Sequence, residues 1–409
     1  MHMFAALQHA AFRRLFAAHV VALLGTGLAT IAIGFLAVDV AGGDAAGVLG
    51  TLLALKMLTF LVIGPLAPAI ARRVGTKRLL VATDLGRAGV ALALPFVDDV
   101  VTAFVLVIVL QSAAALFTPT FQAAIPTVVR DERQYTGALA LSRLAYDLEA
   151  LASPTLASLI LVVAPSVALF GGTAAGFLAS GLLILSVALP KPAGPAAGEP
   201  SRRSRLTRGI RLMVELPRLR GALAMHLALA AVGAVPMVLT VPLVRTGLGG
   251  DEGQAAGLLA AFGVGSMLAA LAMTTVVDRI GPRRYMIAGL ALEVLAVAAV
   301  WPVLALAPGT GALPWLWLVW GLAGMGNAAV LAPMGRVVRD AVDDADLPDV
   351  FAAQFSLAHG WWLLTYPLAG WGATLLGFGP TTLVLAALGG AVLAVAVRMW
   401  AVRERVPVG

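Results

Sequence analysis

Apolar runs of about 18 or more residues recur along this chain from Leu15 almost to its end, each long enough to cross roughly 30 Å of hydrocarbon as a helix. That recurrence leaves few folds open. Inside a bilayer every backbone N–H and C=O must be satisfied without water, which helices achieve within a single segment. With 60% of its residues hydrophobic and 12% charged, the chain is expected to be an all-α membrane protein. The first run, Leu15 to Val38, exceeds a signal-peptide core and precedes no A-x-A-like site, so it reads as a retained span. There is no cysteine, which rules out disulfides and thiolate metal sites.

Clusters of Gly, Pro and charge divide the chain into twelve expected spans: 15–38, 46–70, 79–97, 100–121, 137–163, 167–189, 219–243, 254–277, 285–307, 312–335, 351–376 and 380–400. An even number puts both termini on one side. Apart from Lys56, Arg87, Arg143 and Arg245, all 28 Lys and Arg residues fall in the termini and alternate connections of that side. Arg245 alone faces the other way, beside Asp39, Asp44, Asp98, Asp99, Asp251 and Glu252. The basic side is the cytoplasmic one, so both termini are expected in the cytoplasm, in a bacterial inner membrane. The net charge of +7 then reflects topology, and no nucleic-acid partner is expected.

The longest polar segment, PKPAGPAAGEPSRRSRLTRG at 190–209, reads as a linker without a core of its own. The expected organisation is a six-helix bundle at 1–189, a cytoplasmic linker at 190–217 and a second six-helix bundle at 218–409. The halves repeat one another. FRRLFAAH (12–19) aligns with LRGALAMH (219–226), DAAGVL (44–49) with QAAGLL (254–259), and ARRVGTKR (71–78) with VDRIGPRR (277–284), always in the same order and about half the chain apart.

These residues resemble the major facilitator superfamily of transporters over essentially the whole chain. That family carries a G-x-L-A-D-R-x-G-R-R type loop between spans two and three and a degenerate copy between spans eight and nine. Here the second copy matches better, with Asp278, Arg279, Gly281, Arg283 and Arg284 in place, whereas the first has Pro68 for the Gly and Arg72 for the Asp, retaining Arg73 and Gly75. The resemblance implies two pseudo-symmetric bundles around a cavity, a conformational latch at these loops, and a small-molecule substrate moved by alternating access. FTPTFQAAIPTVV (117–129) and Ser153-Pro154 are similar to the exporter group of enterobactin exporters and nickel-resistance permeases. Span five, SPTLAS at 153–158, keeps the proline of the family's G-P-x-x-G-G antiporter motif but not its glycines.

Ionisable residues within spans cost roughly 2.5–3.5 kcal/mol each to insert and so default to functional candidates. Asp84, Arg87 and Glu293 stand 9 to 12 residues beyond Gly75 or Gly281, and Arg87 and Glu293 are equivalent in the repeat. They read as a charge network bracing the cytoplasmic helix ends, part of the latch. In span five Ser142, Tyr146, Glu149 and Ser153 form one helical face, while Arg143 and Asp147 form an i, i+4 pair on a neighbouring one. Glu149 is expected to face the cavity as the proton-coupling acid, and Lys56, roughly 15 Å deep in its span, to be its counter-charge. Gln111, Gln122, Tyr146, Asn327, His359, Trp362 and Tyr366 are candidate substrate contacts, and His19 and His226 read as interfacial.

The expected function is proton-coupled efflux of a small amphipathic compound such as a drug, siderophore or metabolite, by a monomer without cofactor, the coupling ion being H+. The alternatives are a nickel-type metal-ion exporter and an uptake carrier. No H-E-x-x-H, G-x-S-x-G or P-loop occurs, which argues against an embedded enzyme or direct ATP drive, and no filter repeat or charged ring suggests a channel.

Overall fold

A computed structural model describes residues 7–129, 132–189, 202–343 and 346–401. Long helices carry almost all of them, and no strand occurs among the described residues. Nine helical stretches there are long and apolar enough to cross a membrane, the first of which, Ala10–Val74, holds two successive spans. With the 32-residue α6 and the 30-residue α15, the twelve expected spans are accounted for.

The chain divides into two compact units, Met1–Ala197 and Gly198–Gly409. The N-terminal unit contains α1 (Ala10–Ala41), α2 (Ala45–Val62), α3 (Ala67–Val74), α4 (Thr76–Ala93), α5 (Val100–Val128), α6 (Glu132–Val163) and α7 (Val167–Leu185). In the C-terminal unit are α8 (Arg202–Glu215), α9 (Pro217–Ala234), α10 (Thr240–Pro242), α11 (Glu252–Ile280), α12 (Pro282–Leu306), α13 (Leu313–Leu331), α14 (Met334–Arg339), α15 (Leu347–Leu376) and α16 (Phe378–Ala401). Each breaks its second span from its third at a glycine with positive φ, Gly75 at 93° and Gly281 at 81°. Space does not demand glycine there, since a Cβ would meet nothing within 4 Å. The backbone conformation does, because a side chain is strained in that region.

The internal repeat is a repeat of packing. In the N-terminal unit α1 packs on α7 and α6, α4 on α7 and α5, and α2 on α5; in the C-terminal unit α9 packs on α16 and α15, α12 on α16 and α13, and α11 on α13. A cation just after each turn glycine makes the same contact in both. Lys77 donates to the carbonyl of Leu185 at 2.7 Å and Arg283 to that of Val397 at 3.2 Å, each satisfying a carbonyl near the end of its unit's last helix. Part of the basic bias at this end of each bundle is therefore helix-end chemistry as well as topology.

Apolar side chains fill both interiors, as around Phe12, Leu80, Phe121 and Phe177 in the N-terminal unit, while others, such as Val163 and Leu306, lie exposed on the outside, as in a bundle solvated by lipid. The seventh span is irregular. It winds in wide π-type turns over Val235–Leu239 and Leu243–Gly247; Pro236 in the first and Pro242 just before the second have no N–H to offer.

One segment departs from the sequence reading. Part of the expected 190–217 linker is the helix α8, which packs on α15 and α9. Leu206, Ile210 and Met213 recur at i, i+4 and i+7 and join a core with Leu219, Val338 and Val350. Arg208 adds a 2.6 Å ion pair to Asp346, and Gly209 lies against the backbone of Asp349, where a Cβ would not fit. The density of arginines in SRRSRLTRGIR hides the start of this apolar stripe, Leu206 and Ile210.

Candidate functional site

The polar centre of the N-terminal unit is built by α1, α2 and α6. Lys56, the twelfth residue of α2, donates from Nζ to Oγ1 of Thr30 on α1 at 3.1 Å. Thr30 can accept because its own hydroxyl proton goes to the carbonyl of Thr26 at 3.0 Å, one turn earlier in the helix. On α6, Ser153 donates to Oε1 of Glu149 at 3.2 Å, so the expected Glu149 and Ser153 face is real as a contact. One turn before Thr30, Gly27 faces both, and a Cβ there would overlap the Ser153 side chain and meet Oε1 of Glu149. The absence of a side chain at Gly27 lets a carboxyl group lie against the backbone of α1. Lys56 and Glu149 are both half-buried and interact electrostatically, although no direct ion-pair contact joins them among the described residues.

The arrangement can hold a proton or a polar ligand group beside a fixed cation. Gly27 and Thr30 were absent from the sequence reading. Their signal was GTGLAT at 25–30, small and hydroxylic residues inside an apolar span, which packing alone also explains. The side chains of Arg143, Tyr146 and Asp147 lie outside the described residues.

Asp84 and Arg87 pair with each other on α4, fully buried. Ser180 of α7 donates to the other oxygen of Asp84 at 2.7 Å, and the Arg87 guanidinium lies between the rings of Phe117 and Phe177, 4.4 and 4.2 Å from their centroids. These contacts tie α4 to α5 and α7. They fit a bracing role. His19 is buried, its ring stacked on Phe121 at 4.0 Å, and His226 is buried in α9. An apolar span face admits a histidine when a ring partner covers it, which spacing alone does not reveal.

In the C-terminal unit Asp278, at the end of α11, accepts from Arg336 of α14 at 3.1 Å, and both are exposed. Arg73 and Arg279 sit exposed in the last turns of α3 and α11, where cations complement the helix dipole. Glu293 has a setting unlike the charged network suggested for it: it is completely buried in the middle of α12, and its neighbour is Asn327 of α13, which donates to Oε1 at 3.4 Å.

The other expected contacts scatter. Gln111 is buried in α5 and Gln122 is exposed. On α15, the His359 ring lies 3.9 Å from that of Phe355, and Trp362 and Tyr366 lie 5.0 Å apart with Tyr366 buried.

The family profile described as Major Facilitator Superfamily matches residues 15–251 and 221–409. The chain belongs to the major facilitator superfamily. It is an integral membrane protein of that fold. Among solved structures, the nucleoside transporter NupG is similar at a TM-score of 0.73 and 13% identity, over 95% of this chain and 100% of that one. A POT family transporter in complex with 5-aminolevulinic acid is similar at 0.66 and 14% identity, over 95% of both chains. An auto-inhibited POT family peptide transporter gives 0.69 and 13%, over 97% of this chain and 98% of that one. At such identities the likeness carries the superfamily fold alone. No curated protein matches the chain.

Proposed function

We propose that this superfamily member is a proton-coupled secondary transporter that exports a small amphipathic compound by alternating access, with Glu149 as the coupling acid and Lys56 as its counter-charge. The observation that carries the reading is the polar centre at α1, α2 and α6: a carboxyl group beside Gly27 and Ser153, within electrostatic reach of a lysine held by Thr30. Two opposite charges at span depth offset part of each other's insertion cost. Protonation of Glu149 releases Lys56 to hold an acceptor-rich or anionic group of the substrate, and deprotonation draws it back, which links one proton to one change of substrate affinity. Export as the direction rests on the similarity of 117–129 to the exporter group. The protein is proposed to work as a monomer in a bacterial inner membrane, with both termini cytoplasmic.

Reconstitution into proteoliposomes tests the coupling. Glu149→Gln is expected to abolish pH-driven transport while sparing exchange of substrate. Lys56→Met is expected to move the pH profile toward alkaline pH, because a neighbouring cation favours the carboxylate. Normal pH-driven transport by Glu149→Gln would remove this residue from the mechanism.

A further inference from the structure

The C-terminal unit holds a second carboxyl group at span depth, in a setting opposite to that of Glu149. Glu293 is the twelfth residue of the 25-residue α12, about 17 Å from its start and about 20 Å from its end at 1.5 Å per residue. Its side chain is 0% exposed. Oε1 accepts from Asn327 at 3.4 Å, and Oε2 has no hydrogen-bond partner among the described residues.

Two glycines make room for it. A Cβ at Gly326 of α13 would lie 2.6 Å from Cβ of Glu293, and one at Gly233 of α9 would lie 3.5 Å from Oε1, 3.3 Å from Nδ2 of Asn327 and 2.9 Å from the Trp362 ring of α15. Four helices thus converge on one carboxyl group.

No charged side chain faces it at this level among the described residues. Helix α13 has no Asp, Glu, Lys, Arg or His; α9 has Arg218, Arg220 and His226, the last two turns before Gly233. Helix α16 has Arg398 in its last turn, and α11 has Glu252, Asp278 and Arg279 at its ends. Beside Trp362, α15 has the titratable His359 and Tyr366, one turn to either side, and Asp349 in its first turn.

An isolated carboxylate in such surroundings lacks both counter-charge and solvent, whereas the acid form needs neither. A buried acid kept with one donor on one oxygen and nothing on the other has an open position for a proton. We propose that Glu293 is a proton-binding site of the C-terminal unit, taking up and releasing H+ at Oε2 in the slot bounded by Gly233, Gly326, Asn327 and Trp362. Uptake transfers a proton from hydronium to a lone pair of Oε2, breaking the donor's O–H bond and leaving water, and the Asn327 contact to Oε1 is kept in both states. Asn327 and Trp362 are the half-exposed members of the slot, so the proton enters on their side. The site stands on the geometry of this unit alone; only its use in transport rests on the function proposed above.

Infrared difference spectra between acid and alkaline pH, taken on purified protein in lipid, read the site without requiring transport. The intact protein is expected to show a carboxylic acid C=O band that vanishes as pH rises, is lost in Glu293→Gln and remains in Glu149→Gln. Asn327→Leu keeps the carboxyl group but removes its donor, and should displace the band, which serves as the test if Glu293→Gln does not fold. A difference spectrum unchanged by Glu293→Gln, or by Asn327→Leu where the first variant is lost, would overturn the proposal. Loss of pH-driven transport in Glu149→Gln with the Glu293 band intact, or the converse, separates the two acids.

Discussion

Ser153 donates to Glu149 from one turn further along α6, and the two share a gap that Gly27 of α1 leaves open. The carboxyl group is held on two sides by its own helix and by a neighbouring backbone. Rigid support of this kind keeps a titrating group in one geometry in both charge states.

Gly27→Ala should therefore be damaging, because the new methyl overlaps Ser153 and Glu149 at the centre of the unit. Overpacking of a filled interior typically costs about 1–3 kcal/mol. Thermal unfolding in detergent is expected to show a lowered midpoint, with pH-driven transport reduced more than substrate exchange. Gly89→Ala is the control: its Cβ would meet nothing within 4 Å, and an exposed helical glycine replaced by alanine gains up to about 1 kcal/mol. Equal midpoints for the two variants would show that Gly27 is not tightly packed.

The Asp278 and Arg336 pair predicts an asymmetry between the two loops. Arg72 stands in the first copy where Asp278 stands in the second, so only the second has a carboxylate to join the end of α11 to α14. Asp278→Asn should change stability by less than about 1 kcal/mol, since both partners are exposed. It should nevertheless shift the distribution of distances between spin labels on helix ends at these loops more than Arg72→Gln does. Matching distributions for the two variants would remove the asymmetry.

At the start of α5, Asp99 caps the helix by accepting from the amide of Thr102 at 2.9 Å. That hydrogen bonding holds its carboxyl below the usual aspartate range. A depressed carboxylate contributes stability that is complete above its unfolded value, about 3.9, and is lost as pH falls through the lower folded value. Amide exchange at Thr102 should accelerate in that acid window in the intact protein. In Asp99→Asn, which caps without titrating, the pH-dependent part of the acceleration should vanish. Persistence of the acid step in Asp99→Asn would assign it elsewhere.

The absence of cysteine allows a direct test of topology. A single cysteine introduced as Ala196→Cys, in the Pro- and Gly-rich run at 190–200, should react with a membrane-impermeant maleimide only from the cytoplasmic face of oriented vesicles. Labelling from the opposite face would invert the orientation inferred from Lys and Arg.

Local features were readable from order alone. The positive φ of Gly75 and Gly281 follows from a short turn between antiparallel spans, and the contact between Ser153 and Glu149 follows from i, i+4 spacing on one helix. Longer-range settings were not. Glu293 and Arg87 hold equivalent places in the repeat, yet Arg87 has an aspartate within its own helix and rings on both sides, while Glu293 has one asparagine and an open oxygen.

By itself the sequence determined that this protein crosses a membrane many times, that it is a duplicated six-helix unit, and where its chain turns. Span length, charge bias, repeat spacing and turn glycines act within about a helix length, so a linear string carries them. Tertiary structure alone decided that Gly27 makes room for Glu149, that Thr30 receives Lys56, that α8 docks on α15, and that Glu293 lies where four helices meet. Those settings depend on which faces of different helices meet and how closely their backbones approach. Rotation and separation of packed helices follow from the joint fit of many side chains, and no local pattern specifies them.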